Sequence, residues 1–235
     1  MQNDNEANYL DYENIVKGIF IQEAKNRFLC DALINGEKTI CYVPSSCHLS
    51  NFLSLKGENI LLLKTTSPKA KTQYSLFAMP FKRSYILLNS SIANRAVENS
   101  IYRRFFSFLG SRKKVLHEKT IDGYKCDLYV EDTNTIIEIK SVLCTDRIAL
   151  YPTVTSERRV KQFSHILELL KRNKRVVFGI AALNPYVKEI QIKSTSDFYS
   201  IYLQCIALGL IVFGCTVRFK DNKVIVDKII PIKSQ

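Results

Sequence analysis

The chain has 235 residues, a hydrophobic content of 46% and a formal net charge of +12. That is enough apolar material for one large or two small domains. No apolar run reaches the roughly eighteen residues that a membrane-spanning helix needs.

The first residues, Met1-Gln2-Asn3-Asp4-Asn5-Glu6, lack a basic-then-apolar signal pattern, so a cytoplasmic location is expected. The seven cysteines are odd in number, form no Cys-x-x-Cys pair and sit mostly in apolar runs. They read as reduced core residues, and a disulfide framework or a structural zinc site is not indicated. Residues 1–80 balance eight basic against eight acidic residues, whereas residues 81–235 carry 26 against 14. A basic second half points to a polyanion, nucleic acid first.

Residues 1–14 read as a polar leader. From Ile15 to Val43 the pattern is that of strands, with Asn35-Gly36 as a strong hairpin signal, because both positions of a type I′ turn need positive φ. Further strands are expected at Asn59 to Thr65 and Tyr74 to Met79. Several short strands in about 70 residues suggest a small OB-like β-barrel over residues 15–82; a different barrel or a sandwich fits the same pattern. Lys25, Arg27, Phe28 and His48 are its candidate nucleic-acid contacts, and plain core packing is the competing reading for Phe28.

A second domain is expected over residues 83–235. Tyr85 to Leu88 leads into a helix over Ile92 to Leu109, with Gly110 as its stop. Asp122 to Val142 follows and holds two strand-like runs around the polar tetrad Glu131 to Asn134. After a loop over Ser141 to Tyr151 come a helix at Glu157 to Lys171 and a buried strand at Arg175 to Ala182. A helix at Ser196 to Leu208 and strands at Leu210 to Phe219 and Val224 to Ile230 complete the chain. This order gives an α/β domain with a mixed sheet.

The Asp122 to Val142 stretch carries the chemistry. Strand side chains alternate, so Glu138 and Lys140 share a face and Ile137 and Ile139 take the other. Asp127, on the partner run, can reach the same point. Two carboxylates suit Mg²⁺ or Mn²⁺, which activates water and stabilises charge on phosphate. The arrangement resembles the PD-(D/E)xK nuclease superfamily, although a solvated ion pair gives the same spacing.

The chain as a whole resembles the sugar fermentation stimulation protein (SfsA) family, over about residues 19–231. The segments that carry the likeness are Arg27-Phe28-Leu29, Asn89 through Asn94-Arg95, Asp127, Glu138-Ile139-Lys140-Ser141-Val142, Tyr151-Pro152, Glu157-Arg158 and Lys161. The resemblance implies an N-terminal OB-fold domain, a C-terminal PD-(D/E)xK nuclease-like domain, DNA as partner (RNA as an alternative) and a metal-dependent nuclease. It implies Asp127, Glu138 and Lys140 as catalytic residues, with Asp127 and Glu138 on the metal. Arg27, Arg95, Arg158 and Lys161 fall at the implied nucleic-acid contacts.

This chain also departs from the family pattern. Pro44-Ser45-Ser46-Cys47 stands for Pro-Asn-Thr-Gly, with His48 after it where an Arg is common; Pro152-Thr153 stands for Pro-Asp, Arg158-Arg159 for Arg-Gly and Lys161-Gln162 for Lys-His. A helix glutamate falls at Asn99 in plain register, with Glu98 one residue away and about 100° round the helix. A non-catalytic nucleic-acid-binding protein is therefore the alternative reading, and a purely structural module the third. A symmetric dimer would place two such sites on one duplex; nothing in the sequence demands it.

Overall fold

The computed structural model describes residues 14–45, 48–154 and 156–234. Of the leader expected over residues 1–14, all but Asn14 lies outside the described residues.

The first sheet holds β1 (Ile15–Glu23), β2 (Leu29–Ile34), β3 (Glu37–Tyr42), β4 (Asn59–Lys64), β5 (Tyr74–Phe81) and β6 (Ser84–Leu87), in the order β3-β2-β1-β4-β5-β6. A β3–β5 pairing at Tyr42 and Ser75 closes five of these strands into the expected OB-type ring. Bulges at Phe20/Gln22 and Leu61/Leu62 provide the local bending that a closed barrel needs. Asn35 and Gly36 take φ of 52° and 85°, as the hairpin reading requires. β6 pairs with β5 along Ala78 to Phe81, so the first sheet runs on to Leu87, past the expected boundary at residue 82.

The second half builds a mixed sheet. Its strands are β7 (Val115–His117), a small β8 (Thr120–Ile121) and β9 (Tyr124–Lys125) hairpin beside it, β10 (Leu128–Val130) and β11 (Thr135–Val142). β12 (Ile148–Tyr151), β13 (Arg175–Ala182), β14 (Glu189–Ile192), β15 (Ile211–Lys220), β16 (Lys223–Ile230) and β17 (Ile232–Ser234) follow. The main order is β16-β15-β13-β11-β10-β7, with β11, β13 and β15 parallel. β12, β14 and β17 form a small parallel sheet of their own. Helix α1 (Ile92–Ser100) packs on β16 and β11, while α2 (Glu157–Lys171) and α3 (Tyr199–Ala207) pack on each other, with α2 against β13.

Three sequence expectations change. The helix expected over Ile92 to Leu109 stops at Ser100 and resumes as a 3-10 turn at Arg104–Leu109. The break pins the chain to β16: the Ser100 hydroxyl accepts from Val226 N at 2.9 Å, and Arg103 Nη1 donates to Val226 O at 2.8 Å. The loop expected over Ser141 to Tyr151 ends in β12, where buried Ala149 and Tyr151 alternate with more exposed neighbours. β14 and β17 were not expected, because each is only three or four residues long.

β11 divides two cores. Ile137 and Ile139 join a cluster that is continuous with the barrel interior, and Ile136 joins the cluster under α2. Five of the six described cysteines are buried and all six are free thiols; Cys47 lies outside the described residues. Among the described residues no helix is long and apolar enough to cross a membrane.

Candidate active site

β10 and β11 form an antiparallel hairpin, with Asn134 in the left-handed conformation at its turn. The alternation read from the sequence holds: Glu138 and Lys140 lie side by side and make an ion pair. Glu138 is almost fully buried, and Lys140 is half-buried. Burying a carboxylate is costly unless donors surround it. Tyr124 Oη donates to Glu138 Oε2 at 2.6 Å. Gln162 Nε2, from the second turn of α2, donates to Glu138 Oε1 and also to Tyr124 Oη at 3.0 Å. Lys140 Nζ completes the set on Oε1.

Asp127 sits just before β10. Its Oδ2 accepts from Ile139 N at 2.7 Å, and its Oδ1 accepts from Asn94 Nδ2 at 2.8 Å. Burial first, and then the Glu138 carboxylate, push the Asp127 pKa up to about 6 against the pull of Ile139 N, Lys140 and Asn94. Tyr124 is raised as well, by burial and then by Glu138, so it stays a phenol and a donor. Burial and the two carboxylates lift Cys126 to about 11.

Each carboxylate oxygen offers two lone-pair positions. Glu138 Oε1 uses both, while Glu138 Oε2 and the two Asp127 oxygens each accept a single bond. Among the described residues no group of three or more His, Cys, Asp and Glu side chains gathers for a metal. Two carboxylates with free lone pairs still match Mg²⁺, which keeps several waters of its own.

The structure thus brings Asp127, Glu138 and Lys140 together. Arg158 and Lys161 are exposed on α2, four residues and one residue before Gln162. Arg95 follows Asn94 on α1 and is partly buried. Arg27 is elsewhere, on the β1–β2 loop, with its guanidinium 4.7 Å over the exposed Phe28 ring. His48 Nδ1 lies 3.5 Å from Glu23 on a partly exposed side chain, and Glu23 also accepts from Leu49 N and Ser50 N, which ties the 3-10 turn of Leu49–Asn51 to β1. The Glu98 and Asn99 question also has an answer. Glu98 lies one helical turn beyond Asn94 and pairs with His117 at 2.6 Å, whereas Asn99 donates to Val224 O on β16.

The functions of Asn94, Tyr124 and Gln162 were not evident from the sequence. Asn94 and Gln162 lie in the segments that carry the family likeness and its departures, and Tyr124 lies in the Asp122 to Val142 stretch. No spacing rule joins residues this far apart. Asn89 is structural: its Oδ1 accepts from Ser91 N and Oγ and so starts α1.

Comparison with known proteins agrees with this architecture. A family model described as the sugar fermentation stimulation protein RE domain matches residues 91–223, and one described as the SfsA N-terminal OB domain matches residues 23–88. A sugar fermentation stimulation protein homolog of Clostridium kluyveri is 30% identical, over 69% of this chain and 70% of its own length. One from Clostridium perfringens is 27% identical, over 70% of this chain and 72% of its own. The structure of Pyrococcus furiosus SfsA, solved in complex with Ca²⁺, superposes with a TM-score of 0.79 at 16% identity and covers 93% of this chain and 95% of its own.

Proposed function

The chain belongs to the sugar fermentation stimulation protein family, and from that premise we propose that it binds DNA and hydrolyses its phosphodiester bonds with a divalent cation, with little sequence preference. The observation that carries this reading is the meeting of Asp127, Glu138 and Lys140 at one point, with carboxylate lone pairs still free. The Ca²⁺ bound by the Pyrococcus furiosus relative supports a divalent cation in this fold.

Asp127 and Glu138 would hold Mg²⁺ or Mn²⁺, which when bound supplies the charge that acidifies water and offsets a phosphate oxygen. Asn94 and Ile139 N keep the Asp127 carboxylate turned to the site, and Tyr124 and Gln162 do the same for Glu138. Lys140 would set its ammonium where charge develops on the phosphate and would orient the attacking water. Arg158 and Lys161, exposed on α2, would grip neighbouring phosphates. Such contacts go to the phosphate backbone and carry no sequence information of their own.

A second reading, DNA binding without cleavage, draws on the full coordination of Glu138 Oε1 by side chains of this chain. One assay separates the two. Labelled single- and double-stranded DNA are incubated with Mg²⁺, Mn²⁺ or EDTA, with wild-type protein and with Lys140→Ala. Cleavage that needs metal and falls about 100-fold or more in Lys140→Ala is expected. A gel shift without cleavage under any metal would move the assignment to the binding role.

A further inference from the structure

A cleft on the barrel, apart from the Asp127–Glu138 pair, has the features of an anion site. It encloses about 430 Å³ between the start of β4 and the β5–β6 turn, which is within the usual range for ligand sites. Lys17, Lys82 and Arg83 line it together with Asn59 and Tyr85. No carboxylate lines it, and among the described residues none of the three cations has an acidic partner. Three like charges around one concavity repel each other until an anion enters.

The turn is built to hold this arrangement. Phe81 pairs with Ser84, so Lys82 and Arg83 are its two central residues. Lys82 takes a φ of 56°, at a position where glycine is usual, and a bulky side chain there costs about 1 kcal/mol. Its ammonium lies 5.2 Å from the Phe81 ring centroid and 5.1 Å from that of Tyr186. Arg83 N donates to Tyr186 Oη at 3.1 Å, which fixes the turn to the second half of the molecule. Lys82 lines the cleft while its ammonium rests against these two rings, which lie outside the lining. Tyr85 is half-buried, and the Asn59 amide is exposed.

We propose that this cleft binds the phosphodiester backbone of a single-stranded nucleic acid. Lys17, Lys82 and Arg83 take phosphates, and Tyr85 and Asn59 meet a base by stacking and by hydrogen bond. The concavity is of nucleotide scale, and a base is free to stack on Tyr85 only when it is not paired in a duplex. The proposal rests on the reading that the chain binds nucleic acid, and adds a second contact on the barrel.

The test is fluorescence anisotropy with labelled oligothymidylate in EDTA, over a salt series. Three proteins are compared: wild type, Lys38→Gln, and a triple variant Lys17→Gln, Lys82→Asn, Arg83→Gln. Asparagine is chosen at position 82 because it tolerates positive φ. The triple variant is expected to bind at least about 10-fold more weakly, with a salt slope reduced by about 2, since each lost single-strand phosphate contact removes about 0.7. Lys38→Gln, at an exposed lysine outside the cleft, is expected to bind as wild type does. A triple variant with wild-type affinity and slope would overturn the cleft and leave DNA binding standing. No binding by the wild type would overturn both. Photo-crosslinking of an oligonucleotide carrying 5-iododeoxyuridine should mark Tyr85. Adducts found only on other peptides, or protection of Tyr85 by thymidine monophosphate as effective as by the oligonucleotide, would refute the strand assignment.

Discussion

The two sheets place their charged groups differently. The barrel closes on itself, and its Lys38–Asp31 pair at 2.9 Å lies outside, with the Lys38 side chain 60% exposed. The second sheet is covered on both faces, yet holds the Glu138 carboxylate inside, 3% exposed, against Lys140. An outside pair is screened by water and adds little to stability. An inside pair must be satisfied atom by atom, and removing one partner leaves another stranded. The difference marks where the chain accepts an energetic cost, at the pair on which the proposed chemistry rests.

Several measurements would break or sharpen this contrast. The largest effect is expected from the part the two regions share. Phe77 of the barrel is fully buried and meets Phe219 of β15 edge-on at 5.0 Å. Phe77→Ala should cost about 3–5 kcal/mol in urea unfolding. Fluorescence and circular dichroism should report one transition; two separated transitions would show that the regions fold independently.

Next is Asp127. Its folded pKa of about 6 lies above the ordinary aspartate value, so the folded state binds this proton more tightly than the unfolded chain. The charged carboxylate therefore penalises folding above pH ~6, and the penalty fades as pH falls towards ~4. Asp127→Asn should be more stable than wild type near pH ~8, by at most about 3 kcal/mol, and the gap should close near pH ~4. A gap that is constant with pH would refute the assignment.

Tyr124→Phe removes one donor from the buried Glu138. It should lower stability by about 2 kcal/mol, the scale of a hydrogen bond to a charged group, as read by thermal unfolding with differential scanning calorimetry. The smallest effect is expected outside: Lys38→Ala should change stability by no more than about 0.5 kcal/mol, and less still in high salt. A loss comparable to that of Tyr124→Phe would erase the contrast.

How much could be read in advance followed the range of each interaction. The Asn35-Gly36 turn, α2 and β13 were legible because neighbours along the chain specify them. Glu138 and Lys140 were legible as a pair because a two-residue spacing fixes their common face. The end of α1 was not, since Ser100 and Arg103 answer to Val226, more than 120 residues on. The partners of the carboxylates were hidden for the same reason. Tyr124, Gln162 and Asn94 arrive from three different elements, and only folding shows that they meet. β12, β14 and β17 escaped because strands of three or four residues barely establish an alternation.

The join between the halves has one more consequence. Leu87 N donates to Leu183 O, Arg83 N to Tyr186 Oη, and one apolar cluster runs from Phe77 and Leu87 through to Phe213, Val217 and Val224. Neither half is a portable module. Expressed alone, the barrel would present Phe77 and Leu87 to water, and its missing companion would leave a matching greasy wound, so each fragment would clump. Gene fusions and truncations that treat residue 88 as a convenient cutting point should give insoluble protein, whereas a cut at the Asn35-Gly36 turn would leave this seam whole.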